Sequence, residues 1–188
     1  MVRTKSHADT SRFQRIEPTE ELLAEIDAAS NSLEKSSPVE ILEWAVEHYA
    51  PHFAMATAFG PEGMTMIHML SKIAPKTPIF NLETGYQFQE TLDLCHQVED
   101  RYGIKVQLIR PELDVVAYEE LHGGPVYKTD PNKCCYDRKL SLLKKVANNL
   151  HCWSSAIRRD QSPDRAKAPI LGWDKKFGLI KVSPLANC

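Results

Sequence analysis

Three short apolar runs, HFAMATAF (52–59), TPIFNLE (77–83) and IKVQLIR (104–110), are separated by two amphipathic helical stretches. This alternation constrains the fold more than any other feature of the chain. Each run has strand length, and the first is apolar at nearly every position, as a strand covered on both faces requires. Between the first two, Met64, Ile67, Leu70 and Ile73 recur at every third position; between the next two come Phe88, Leu92, Cys95, Val98 and Tyr102. Strands joined by helices of this length need right-handed crossovers, which gives an α/β fold: a parallel sheet with helices on both faces. Ligands of such sheets bind beyond the C-terminal strand ends. That rule selects the 57–63 turn, the 83–86 turn and whatever follows Arg110.

Local signals place the boundaries. Ser37-Pro38-Val39-Glu40 reads as a capping box opening a helix through ILEWAVEHYA, with Ile41, Trp44, Ala45 and Tyr49 as its buried stripe. Gly103 suits a helix C-terminus, and Gly123-Gly124 stops the helix DVVAYEELH. Residues 1–36 read as a polar N-terminal extension with a short helical pattern at EELLAEIDAA, and 37–188 as the folded domain. In the second half a helix is expected from Tyr136 to Asn149, then a strand at CWSSAI, a basic loop RRDQSPDRAKAP, and two strands, PILGWD and LIKVSPL, joined at DKKFG. Cys95 on its apolar stripe and Cys152 beside Trp153 read as core residues.

The formal net charge of −2 gives no bulk attraction to nucleic acid or membrane, so any anion site must come from local clustering. No apolar run approaches the roughly 20 residues of a membrane span. The N-terminus, MVRTKSHADTSRFQR, has no apolar core and is not a secretory signal, so a cytoplasmic protein is expected. Five cysteines at irregular spacing then favour metal or redox chemistry over a disulfide framework.

Three constellations could carry chemistry. TAFGPEG (57–63) puts a glycine-bearing turn and a helix N-terminus after a buried strand, an anion site by geometry; its plain alternative is a tight turn. It is not a Walker loop, since no Gly-Lys-Ser/Thr follows. RRDQSPDR (158–165) gathers three arginines in one loop, which suits a sulfate or phosphate unless Asp160 and Asp164 pair with them. In NKCCYDRK (132–139), Cys134 and Cys135 cannot easily bridge each other. Cysteines at a helix N-terminus near cations have lowered pKa and ligate metal readily, and Lys139 would share a face with Cys135. A bare CC pair is not zinc spacing; an iron–sulfur cluster would need two further thiolates.

Taken together, ATAFGPEGM, LETG (82–85), KCCYDRK, WSSAIRRDQSPDR and LIKVSPLAN resemble, in order, the assimilatory sulfonucleotide reductases, which act on adenylyl sulfate (APS) or phosphoadenylyl sulfate (PAPS). The resemblance covers roughly residues 50–187. It implies an adenine nucleotide α-hydrolase-like (PP-loop-like) domain that reduces APS to sulfite and AMP through an S-sulfocysteine intermediate, with thioredoxin or a similar dithiol as reductant. Its APS branch carries a [4Fe-4S] cluster on a CC pair plus a later C-x-x-C pair, so Cys134 and Cys135 imply metal ligands of that branch. The matching substrate-binding positions are Thr57, Phe59, Gly60 and Glu62; Thr84 and Gly85; Lys139; and Arg158, Arg159, Gln161, Ser162 and Arg165. A homo-oligomer is compatible with the resemblance; a nucleic-acid or membrane partner is not expected.

The sequence departs from the family pattern at four places: Ala58 for Ser, Glu83 for Asp, Ala156 for Gly, and Cys188 for Trp. No cysteine matches the C-x-x-C pair or the nucleophile of the family's Glu-Cys-Gly tail, so the catalytic thiol is unassigned. The expectation is a longer reductase cut short, with a degenerate, non-catalytic nucleotide binder as the alternative. A PAPS reductase is the other reading. An ATP-using pyrophosphatase-loop adenylyltransferase is disfavoured, because TAFGPEG lacks the Ser-Gly-Gly-x-Asp-Ser pattern.

Overall fold

The apolar runs become the strands β1 (Phe53–Ala56), β2 (Ile79–Leu82) and β3 (Val106–Ile109) of one sheet. Further along the chain come β4 (Cys152–Ser154), β5 (Leu171–Asp174) and β6 (Leu179–Val182). This computed structural model describes residues 13–188. The expectation of no secretory signal and the first part of the polar extension rest largely on residues 1–12, which lie outside the described residues.

Strand order is β3-β2-β1-β4-β6-β5. Every pairing is parallel except β5 with β6, which form the hairpin expected around DKKFG. The chain leaves β1 toward β2 and β3, then returns to place β4 on the other side of β1. The crevice between the C-terminal ends of β1 and β4 is therefore the topological switch point, where an open α/β sheet binds its ligand.

Helices cover both faces. Phe53 and Met55 share one core with Ile26 of α1 (Glu20–Ser32), Ile41, Leu42 and Ala45 of α2 (Pro38–Tyr49), Met66, Ile67 and Leu70 of α3 (Pro61–Ile73), and Cys95 and Val98 of α4 (Gln89–Tyr102). Ala54, Phe80 and Trp153 point the other way, onto Ala147 of α8 (Ser141–Ala147) and Leu150. The two faces follow the alternation of side chains along a strand. Helix α1, within the stretch read as an extension, contributes to the main core, and its Ser30 Oγ accepts the Leu171 N–H at 3.1 Å.

Three expectations need correction. Phe88 is 79% exposed, because it is the N-cap of α4 and precedes the helical stripe. Trp44 and Tyr49 are only half-buried, while Leu42 and Met66 take the fully buried positions. The helix expected from Tyr136 begins earlier, at α7 (Pro131–Cys135), where Asp130 Oδ1 accepts the Lys133 N–H at 2.9 Å. It continues through a π-helical turn, Tyr136–Leu140, into α8. Before α7 stand α5 (Val115–His122) and the single turn α6 (Val126–Thr129).

The capping box of α2 forms as read: the Glu40 N–H donates to Ser37 Oγ at 3.3 Å and the Ser37 N–H donates to Glu40 Oε2 at 2.7 Å. Replacing Ser37 with Ala removes one side of that exchange and is expected to cost about 1 kcal/mol. A lower denaturant midpoint at unchanged slope would show it.

Candidate functional site

The turn after β1 is held by its own hydrogen bonds. The Thr57 N–H donates to the Phe80 carbonyl at 2.9 Å, and Thr57 Oγ1 accepts the Phe59 N–H at 3.0 Å. Phe59 sits at φ 58°, a left-handed conformation uncommon for a bulky residue. Its ring is buried in the main core, which holds it there. Gly60 then caps α3. Helix and turn approach so closely that a Cβ on Gly63 would stand 2.9 Å from Thr57 Oγ1. In the first turn of α3, Glu62 accepts from Gln161 Nε2 at 3.1 Å. Its own backbone N–H and the Gln161 amide hold its carboxyl below the usual carboxylate range.

The turn after β2 is fixed differently. The Gly85 N–H donates to Glu83 Oε1 at 2.7 Å, and Glu83 Oε2 pairs with Arg110 at 3.1 Å. Gly85 adopts φ 84°, and a Cβ there would stand 2.5 Å from Val115 Cγ2 and 2.8 Å from Arg138 Nη2, so only glycine fits. The Thr84 carbonyl accepts from Arg138 Nε at 2.6 Å. Arg138 is only 3% exposed. Its guanidinium also donates to the carbonyls of Leu113 and Asp114, and it lies over the rings of Tyr86 and Tyr118. Sequence reading singled out its neighbour Lys139 and gave Arg138 no site role; burial was the missing information.

Between these turns and the helix after the cysteine pair opens a cavity of about 420 Å³. Thr57, Asn81, Thr84, Gln87 and Lys139 supply its polar lining; Ala56, Phe80 and Leu143 are among its apolar residues. Lys139 makes no ion pair with any described residue. Asn81 donates to the Thr57 carbonyl at 2.9 Å and accepts from Gln87 at 3.0 Å, tying the two strand ends together. Gln87 Oε1 and, at the end of β4, Ser154 Oγ and Ser155 Oγ are buried without a protein partner. Buried polar atoms are rarely left unpaired; of these three residues, Gln87 lines the cavity. WSSAI carried the serines in plain view, but nothing in it distinguished them from strand filler.

The arginine loop borders this region without presenting all its charge. Arg158 pairs with Asp160 at 3.0 and 3.1 Å and lies 3.6 Å from Glu62. Arg159 is turned away: it pairs with both carboxylate oxygens of Glu34 and donates to the Ala168 carbonyl at 2.8 Å. Arg165 donates to Gln161 Oε1, and the Ser162 carbonyl accepts the Arg165 N–H at 3.0 Å. Asp164 takes no part. Ala156, the methyl-bearing departure, is half-buried against the main core.

The cysteines do not assemble a cluster site. Cys134 is 8% exposed and packs with Tyr118 and Val126, while Cys135 is exposed. The lowered pKa expected at this helix start does not hold for Cys134, since burial pushes its thiol up more strongly than Arg138 pulls it down. Cys95 and Cys152 are buried, as their apolar settings suggested. Among the described residues, no three His, Cys, Asp or Glu side chains converge to hold a metal ion. Cys134 and Cys135 could give at most two of four thiolates, so the residues present do not fit the cluster by themselves.

The phosphoadenosine phosphosulfate reductase domain family matches residues 52–188. The chain belongs to this family. It is 34% identical over 160 residues to the adenosine 5′-phosphosulfate reductase of Salinibacter ruber, covering 85% of this chain and 64% of that protein. It is 40% identical over 150 residues to adenosine 5′-phosphosulfate reductase 2 of Bacillus subtilis, covering 79% and 64%. The chain thus spans about 64% of the length of either relative. A crystal structure of phosphoadenylyl-sulfate reductase from Candida auris, in complex with phosphate, superposes with a TM-score of 0.80 at 23% identity, over 93% of this chain and 83% of that one. That likeness bears out the α/β fold. Among the described residues, no helix is long and apolar enough to cross a membrane.

Two substitutions test the construction of the site. Gly63→Ala should lower stability despite the roughly 1 kcal/mol by which Ala favours a helix over Gly, because the new Cβ meets the buried Thr57 Oγ1 at 2.9 Å and must displace the hydroxyl that holds the Phe59 N–H. A fall in its denaturant midpoint, at unchanged slope, would show the loss. The second concerns Asp137, which accepts from Lys133 Nζ at 2.6 Å and from the Tyr118 hydroxyl at 2.9 Å. Lys133 and then Tyr118 hold its carboxyl below the usual range against the opposing effect of burial. A carboxyl lowered by folding stabilises the native state above its unfolded pKa of about 4 and loses that contribution as pH falls through the lower folded value. Asp137→Asn should therefore be less stable than the parent at neutral pH, with the gap closing below about pH 4, as followed by denaturant midpoints across pH.

Proposed function

We propose that this chain binds adenylyl sulfate in the crevice between the Thr57 and Thr84 turns and takes part in its reduction to sulfite and AMP. The observation that carries the reading is Lys139, a cation without an ion pair to any described residue on the wall of the cavity at the ends of β1 and β2. The family membership and the names of its relatives support it. A nucleotide there would lie along the ends of β1 and β2, and its sulfate would face Lys139. Glu62, Gln161, Arg158 and Arg165 form the rim; Gly60 and Phe59 shape the turn beneath it. Arg159, as paired to Glu34, shapes the loop that carries Arg158.

The chemistry follows from charge. Attack by a thiolate on the sulfate sulfur would form an S-sulfocysteine and release AMP, whose phosphate takes the bonding pair. A dithiol such as thioredoxin would then reduce the S–S bond, freeing sulfite and restoring the thiol. No cysteine of these residues is assigned the attack. Lys139 would offset charge on the sulfate and hold it in place. A [4Fe-4S] cluster at Cys134 and Cys135 would need ligands from elsewhere, and no step is routed through it. A cytoplasmic location suits a reaction that draws on a dithiol reductant.

Calorimetry with APS, PAPS and AMP tests the reading. Lys139→Ala should lower APS affinity about tenfold to a hundredfold, the loss of one charge-assisted contact, with AMP affinity changed far less. Equal losses for APS and AMP would remove the sulfate from Lys139. Tighter binding of PAPS than of APS would favour the phosphoadenylyl-sulfate reading. Iron and acid-labile sulfide, measured on protein purified without oxygen, should stay well below four of each per chain if Cys134 and Cys135 stand alone.

A further inference from the structure

A second cavity, of about 360 Å³, opens at the other end of the sheet against the β5–β6 hairpin. It shares no lining residue with the switch-point crevice. Its centre is Lys181, whose register partners are Trp153 on β4 and Gly172 on β5. Partners in register share a face of the sheet. Trp153 therefore flanks Lys181 on one side, and the missing side chain of Gly172 leaves a slot on the other. The slot is built in, because a Cβ on Gly172 would stand 2.9 Å from Pro169 Cγ. Lys175 and the buried Ser183 also line the cavity.

Lys181 makes no ion pair with any described residue. Asp174 also lines the cavity, but it is committed to the hairpin turn, where its Oδ1 accepts the N–H groups of Lys176 at 3.1 Å and Phe177 at 3.3 Å. Burial pushes the Lys181 amine below the usual lysine range; Asp174 works against this and the charge of Arg165 adds to it. A half-buried ammonium is costly, and Asp174, whose Oδ1 is taken up by the turn, offsets only part of that cost, so a further anion beside Lys181 and Lys175 would lower it.

We propose that this cavity is a binding site for a tetrahedral oxyanion, phosphate or sulfate, held by Lys181 with Lys175 and the Ser183 hydroxyl. The site shares no lining residue with the substrate crevice and does not depend on the reading of that crevice.

The test titrates sodium phosphate and, separately, sodium sulfate into the full chain at fixed ionic strength, by calorimetry. Lys181→Met removes the charge and keeps an unbranched apolar stem beside Trp153. The expected result is at least a tenfold weaker phosphate or sulfate affinity in Lys181→Met, with AMP affinity unchanged and with oxyanion binding at this site retained in Lys139→Ala. Unaltered oxyanion binding in Lys181→Met, or its loss in Lys139→Ala alone, would overturn the proposal. Should Lys181→Met fold poorly, acetylation of the wild-type chain by acetic anhydride, read residue by residue by mass spectrometry, decides instead. Phosphate or sulfate should slow modification of Lys181 several-fold while leaving Lys76 unaffected; equal rates with and without oxyanion would sink the idea. The anion giving the larger protection identifies the preferred one.

Discussion

A guanidinium withdrawn from water costs several kcal/mol unless its donors are met and its charge is accommodated. Arg138 meets that demand with backbone carbonyls from Thr84, Leu113 and Asp114 and with two aromatic faces, Tyr86 and Tyr118. The partners come from two stretches of chain, 84–86 and 113–118, so one side chain ties the turn after β2 and the start of α5 to the helix that follows the cysteine pair. Gly85 is what allows the approach, since any side chain there would collide with Arg138 and Val115. The crevice takes its width from this contact: the turn bearing Thr84 and the helix bearing Lys139 are held to the same guanidinium-centred knot. The π-helical turn Tyr136–Leu140 sits at this knot. Such turns insert one extra residue and recur at functional sites.

The rim of the crevice shows a second principle. Its charged groups are satisfied by one another: Arg158 by Asp160, Glu62 by Gln161, and Gln161 in turn by Arg165. These are exposed or half-exposed contacts, of the kind that contribute little to stability. An anion arriving at the crevice would exchange weak internal pairs for its own contacts, rather than face a field of bare charge. Lys139 differs because it makes no ion pair with any described residue.

Much of this was legible in the sequence because the relevant signals are local or periodic. The capping box at Ser37, the C-terminal glycines Gly103 and Gly123, and the strand runs at 53–56, 79–82 and 106–109 depend on neighbours within a few residues. The turns that build the crevice were legible for the same reason. What escaped depends on long-range partners. Arg138 looked like one more basic residue near two cysteines until its carbonyl acceptors, 24 to 54 residues away, were brought to it. Arg159 looked equivalent to Arg158 until Glu34 claimed it from 125 residues away. Burial of Cys134 reversed the expected effect of its cationic neighbours, because desolvation is a property of the packed core and not of the flanking sequence. The helix starts ahead of Tyr136 because Asp130 caps it and Pro131 takes its first turn, a local signal that the cysteine pair just after it obscures.

The two sheet edges, β3 and β5, carry a consequence for how the chain behaves when crowded. An open edge is a row of unmet N–H and C=O groups that can template pairing with another molecule. Here β3 is four residues long, its Gln107 is exposed, and Lys105 and Arg110 bracket it with charge. At the opposite edge, β5 is equally short and ends in the Asp174-Lys175-Lys176 turn. Brevity and flanking charge make both poor templates. Colloidal behaviour should then be governed by side-chain patches rather than by strand addition, so a charge-removing change at Lys105 would matter more for solubility than for the fold.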